Sequence, residues 1–264
     1  MELTLYQVDA FANRVFAGNP AAVCPLDDWL PDETLQAIAL ENNLSETAFL
    51  IAKTDPDGGE AWDLRWFTPA FEVDLCGHAT LGSAYVVATY LKPGSETMAF
   101  DTRSGRLTVT REGELFAMDF PALERKPLDD LEAAEDALGA RPSALFESMD
   151  WMAVFETEEA VAALQPDSGK VKALETRGVI ATAPGKAVDF VSRFFAPAAG
   201  IEEDPVTGSA HSISTPYWAE RLGKTKLTAR QISARGGELS LEARGERVTI
   251  AGRVVPYMEG RIFV

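Results

Sequence analysis

Trp66–Tyr85 reads WFTPAFEVDLCGHATLGSAY, and Phe194–Ser212 reads FFAPAAGIEEDPVTGSAHS. Both stretches run in one order: an aromatic strand end, a Pro-Ala pair, acidic residues, then a Gly-x-Ala that opens a helix. Matching Gly77-His78-Ala79 to Gly208-Ser209-Ala210 requires a few inserted residues in the second copy. An internal echo of this kind constrains the fold strongly, because each copy must bury its own helix in its own surroundings. It predicts two related halves, residues 1–118 and 119–264, with the final strand a candidate to return to the first half. At each helix start the first N–H groups lack intrahelical acceptors and carry partial positive charge. Two such starts facing one cleft would form paired sites for a carboxylate, or for the charge left when a proton departs from carbon.

The patterns around the echo fit this division. TLYQVDAF and AAVCPL read as strands flanking a Gly18-Asn19-Pro20 loop. Pro31 and two acids open a helix whose Leu35, Ile38 and Ala39 share one face, and Asn42-Asn43 end it. TAFLIAK and DLRWFTPA are strands around the turn TDPDGGE, and an antiparallel meander follows with turns at Ser104-Gly105 and Glu112-Gly113. After Pro121 the mixture restarts: helices in PLDDLEAAEDALGA and EEAVAALQ, and strands in DWMAVFE, GVIATAP and AVDFVSRFFAP. A long helix follows Gly208, and LTARQIS, ELSLEAR, RVTIAGR and GRIFV are closing strands. The expected class is α+β, each half a curved sheet around one main helix.

Charge and cysteine content exclude several functions. Lys and Arg number 24 against 41 Asp and Glu, a net charge of -17. Such a field repels phosphate backbones and anionic membranes, so neither nucleic acid nor membrane is expected as a partner. No apolar run approaches a bilayer span, and the N-terminus alternates like a strand rather than a leader. Two cysteines are too few for a disulfide framework, so a reduced, cytoplasmic chain is expected. There is no GxGxxG after a strand, no phosphate-binding glycine loop, no HExxH and no CxxC pair, which leaves no expected metal or organic cofactor. Ser209 and His211 are two apart and would point away from each other on a helix, which disfavours a Ser-His hydrolase pair.

What remains are carboxylates, His78 and Cys76. Glu46, in NNLSETAFLI, is by default a solvated strand-edge residue; in a dry cleft its pKa would rise toward that of a general acid or base. Asp204 before Pro205 is by default a helix cap or first-turn acid. Cys76 would have its thiolate favoured by the helix start, yet free cysteine is most often a small buried apolar residue. A charged His78 in a first helical turn opposes the dipole, so a neutral histidine donating or shuttling a proton fits better.

VDAFANRVFAGNPAAV, NLSETAFL, LCGHATLGSAY and EDPVTGSAH, in this order over residues 8–211, resemble the phenazine biosynthesis PhzF-like proteins, relatives of diaminopimelate epimerase and proline racemase. The resemblance implies the diaminopimelate epimerase-like fold: two pseudo-symmetric halves, each a sheet curled around a central helix, with the active site between them. It implies an isomerase working without metal or organic cofactor, in which Glu46 moves a proton with His78 and Asp204 opposite. Gly77, Gly208 and Ser209 would bind the substrate carboxylate, Asn19 would line the cleft, and a homodimer is the candidate assembly. Cofactor-free racemases of this superfamily use one cysteine from each half. Cys76 stands where the first would be, but the second copy offers Asp204-Pro205 and no cysteine, and Cys24 lies outside the motif.

The expectation is thus a proton-moving isomerase of a small carboxylic acid or amino-acid-like compound. Its rivals are an epimerase or racemase using Cys76 with a carboxylate, and a small-acid-binding protein without turnover.

Overall fold

The computed structural model of the chain describes residues 1–55 and 58–264. Pro56 and Asp57, in the expected TDPDGGE turn, lie outside the described residues. The chain forms two compact units, residues 1–119 with 251–264, and residues 120–250.

In chain order the first unit has β1 (Glu2–Ala10), β2 (Asn19–Leu26), α1 (Asp32–Asn42), β3 (Glu46–Thr54), β4 (Glu60–Phe67) and the two-residue β5 (Glu72–Val73). It continues through α2 (Gly77–Val86), β6 (Thr97–Thr102), β7 (Gly105–Glu112) and β8 (Leu115–Pro121). β2 and β3 are parallel across α1, β3 and β4 antiparallel, and β4 and β6 parallel across α2. The meander turns fall at 103–104 and 113–114, one residue from their expected places.

Alternation along β2 assigns the two faces of this sheet. Cys24 and Leu26 pack with Leu35, Ile38 and Ala39 of α1 and with Phe49 and Phe67. Asp32 and Glu33 occupy the positive end of α1, and Asn43 closes it in a left-handed conformation. Ala21 and Val23 face the other way, toward α2. That helix is buried almost all round, from His78 to Val86 except Tyr85, and touches β1, β2 and β3. Gly82 permits the close approach: a Cβ there would stand 2.8 Å from a methyl of Val8.

The second unit repeats the scheme. Its elements are β9 (Lys126–Pro127), α3 (Leu131–Leu138), β10 (Ala144–Glu147), β11 (Trp151–Val154), α4 (Glu158–Ala162), α5 (Ser168–Ala173), β12 (Val179–Pro184) and β13 (Phe190–Phe195). Then come α6 (Gly208–Leu222), β14 (Lys226–Gln231), β15 (Gly237–Arg244) and β16 (Arg247–Gly252). β11 and β12 are parallel across α4 and α5, β12 and β13 antiparallel, and β13 and β14 parallel across α6. Ala153, Val179 and Ala181 pack under α3, α4 and α5. Met152, Val154 and Ile180 pack with Ala210 and Ile213 of α6. Pro216 lies inside α6 and cannot donate to the carbonyl of Ser212, which instead accepts from Leu123 N at 3.0 Å.

The last strand, β17 (Val254–Phe263), pairs antiparallel with β1 from Glu2↔Phe263 to Ala10↔Val254, with a bulge between Gln7 and Val8. It belongs to the first unit. No helix of the described residues is long and apolar enough to cross a membrane.

Candidate active site

In the first unit, three residues from two elements converge. Glu46 opens β3 and is only 9% exposed, so it is not the solvated strand-edge residue that base rates favour. Cys76 precedes the first residue of α2 with extended backbone, and His78 is the second residue of that helix. His78 Nε2 lies 2.9 Å from Glu46 Oε2. The approach is off the line of the ring N–H, so it is a charge contact rather than an aligned hydrogen bond. On the other side of the ring, His78 Nδ1 lies 3.5 Å from Cys76 Sγ. Thr80 Oγ1 donates to the Cys76 carbonyl at 2.6 Å and pins the turn. Ser45 donates to Asn19 Oδ1 at 2.9 Å, which ties the buried Asn19 of β2 to the residue before Glu46.

The charge states follow from these neighbours. Burial, with the Glu46 carboxylate next, pushes the Cys76 thiol above its ordinary range, so the group is a neutral thiol. The helix start does not make it a thiolate; its dipole is too small to offset full desolvation. For His78, burial alone would favour the neutral ring. The negative charge beside it outweighs that, and the pKa stands well above 6.5. Because Cys76 keeps its proton, the Glu46 carboxylate is the partner that holds the imidazolium. A cation in the first turn of α2 is thereby compensated. Glu46, Cys76 and His78 are also the only group among the described residues whose ligand-type atoms lie within 4.8 Å of one another. The imidazole presents one nitrogen to each neighbour.

The corresponding helix start in the second unit is built differently. Thr207 precedes α6, and Asp204 Oδ2 accepts from the Thr207 hydroxyl. Buried Gln231 locks the turn. Its Oε1 accepts from Thr207 N at 2.9 Å, and its Nε2 donates to the Asp204 carbonyl at 2.8 Å. His211 Nδ1 donates to the Thr207 carbonyl at 2.8 Å, and burial lowers its pKa to about 4, so it is a neutral structural ring. Ser209 Oγ accepts from Arg177 Nη2 at 3.0 Å. Ser209 and His211 thus have separate partners, and no hydrolase pair forms.

Over residues 8–260 the sequence matches the phenazine biosynthesis-like protein (PhzC-PhzF) family. The chain belongs to this family. It is 53% identical over 262 residues to a Pseudomonas aeruginosa protein named as an uncharacterized isomerase, with 99% of each chain covered. A crystal structure of a PhzF family protein from Enterococcus faecalis superposes with a TM-score of 0.96 at 46% identity, covering both chains fully. A hydroxyproline epimerase from Agrobacterium vitis shares the fold alone, with a TM-score of 0.60 at 10% identity over 99% of this chain and 92% of that one. The PhzF assignment makes this chain an isomerase of the diaminopimelate epimerase-like fold.

Within this PhzF-family chain, Glu46, His78 and Cys76 meet directly, while Asp204, Gly208 and Ser209 share the turn that opens α6. Three members of that turn's network escaped the sequence reading: Asp150, Arg177 and Gln231. Gln231 ends an alternating strand and reads as any other inward position. Asp150 and Arg177 are 27 positions apart, with no local pattern to join them.

Proposed function

We propose that this PhzF-family isomerase moves a proton between carbon atoms of a small carboxylic acid or amino-acid-like substrate, with Glu46 as the base and without metal or organic cofactor. The observation that carries the reading is the buried contact of Glu46 with His78. Glu46 takes the proton as the C–H bond breaks, and the electron pair left behind spreads into the substrate's adjacent unsaturated or carboxyl group. The pair of Glu46 and His78 then holds one net positive charge, opposite to the negative charge gained by the substrate. Return of the proton to another carbon shifts the double bond with no change of oxidation state. Asp204 shares protons or orients the substrate. Asn19, Gly77, Gly208 and Ser209 hold it, with helix-start amides accepting the developing charge. General acid–base action supplies about 10²- to 10⁴-fold, and oriented electrostatics supplies the remainder.

A thiol-based racemase is disfavoured, since the thiol is neutral and the second helix start has no cysteine. The test begins with a panel of small carboxylic acids screened by thermal shift. Ligands that bind are then incubated in deuterium oxide. Deuterium at a ligand carbon with the native protein, and none with Glu46→Gln, is the expected result. Binding without any exchange would leave a small-acid-binding protein in place of an enzyme.

A further inference from the structure

Asp150 has no exposed surface, yet it carries a carboxylate. Arg177 Nε and Nη2 donate to its two oxygens at 2.8 and 2.5 Å. The guanidinium lies over the ring of Phe194, 5.7 Å from its centroid, and its side chain remains 44% exposed. One edge and one face of Arg177 are thus fixed while the rest reaches outward. Burying a carboxylate for an ion pair is a weak route to stability, because desolvation offsets most of the attraction. Such a pair makes more sense as a clamp that holds the arginine in one orientation.

The clamped Nη2 also donates to Ser209 Oγ at 3.0 Å. A serine hydroxyl has two lone pairs and one hydrogen. With a cation on one lone pair, its O–H is polarised and left to donate elsewhere. Next to it is Gly208, where an added Cβ would meet no atom within 4 Å.

We propose that Arg177, held by buried Asp150, is a positioning residue that turns Ser209 into a fixed donor for the substrate's carboxylate. This rests on the reading of Ser209 as a carboxylate-binding residue given above. Arg177 acts through Ser209 and sets the substrate class: an acid whose anionic end is met by a charge-polarised hydroxyl, in preference to its amide or ester.

The experiment uses the full chain and sodium benzoate as the probe, followed by the ¹⁵N amide shifts of Gly208 and Ser209, with benzamide as the uncharged control. The wild type should bind benzoate in preference to benzamide. Arg177→Ala should weaken benzoate binding about tenfold or more, as should Ser209→Ala. The double variant should lose no more than either single one, because one residue works through the other. Arg177→Lys should restore part of the affinity. Since Arg177→Ala strands a buried carboxylate, Asp150→Asn with Arg177→Met serves as the second variant and should show the same loss. Unchanged affinity in a folded Arg177 variant, or losses that multiply in the double variant, would overturn the proposal while leaving the carboxylate site in place. Wild-type amides that ignore benzoate would instead remove the carboxylate-binding reading itself, and the proposal with it.

Discussion

At Gly77 and at Gly208 the backbone does the same thing. A strand ends, a loop bearing Pro-Ala and acids follows, and a glycine opens a helix buried in its own unit. The surroundings differ in what can move. Around α2 sit an imidazolium, a carboxylate and a thiol, all buried, and the facing atoms of His78 and Glu46 meet as a charge contact without an aligned hydrogen bond. Around α6 the polar groups are tied down: Asp204 to Thr207, Thr207 to Gln231, Ser209 to Arg177. The same backbone scheme thus carries a loosely held group of titratable side chains at one helix start and a tightly bonded network at the other. In the function proposed above, chemistry and binding call for these opposite degrees of restraint.

The sharpest way to break that contrast is Glu46→Gln, which keeps shape and removes the base. Exchange of solvent deuterium into a substrate should fall by about 10²- to 10⁴-fold with the circular dichroism spectrum unchanged. Exchange at the native rate would move the chemistry away from α2.

The two histidines offer the next test, since their pKa values are displaced in opposite directions. Imidazole NMR should show His78 still protonated above pH 6.5 and His211 neutral down to about 4. For His211 the folded pKa is depressed, so its contribution of about 3 kcal/mol is complete above the unfolded value. It is lost as pH falls from 6.5 toward about 4. For His78 the folded pKa is raised, so its contribution is complete below pH 6.5 and disappears as pH climbs through the folded value. Urea midpoints across pH should therefore show an acid arm in both wild type and Glu46→Gln, and an alkaline arm weakened in Glu46→Gln. A His78 that loses its proton below 6.5 contradicts the ion pair.

The smallest effect belongs to Cys76→Ala. Its neutral thiol contributes one long contact to His78, so activity should fall less than about tenfold. Complete inactivation of a folded Cys76→Ala variant would turn the α2 end from a carboxylate-imidazole pair into a thiol site.

Periodicity and punctuation made much of this legible. Pro31, the acids after it and Asn43 delimit α1, and glycine before an apolar run marks both α2 and α6. The elements that escaped have too little local signal. β10 is four residues long, and α5 buries only Val171. β17 begins at Val254 rather than near Gly260, because Pro256 inside it argues against a strand; a bulge opposite Val8 accommodates that proline. The candidate site divides similarly. Glu46 and His78 stand in short, distinctive motifs, whereas the Asp150–Arg177 pair exists only once β11 and β12 lie side by side.

The pairing of β1 with β17 has a consequence for the order of events during synthesis. The strand that seals residues 2–10 leaves the ribosome only after all of residues 120–250. Contacts between such distant positions form slowly, and the usual N-terminal-first sequence of domain folding cannot apply. The second unit has its whole chain available first, while the sheet bearing Glu46 waits with an open edge beside β1. A nascent molecule can complete the unit that holds Arg177 before the one that holds Glu46.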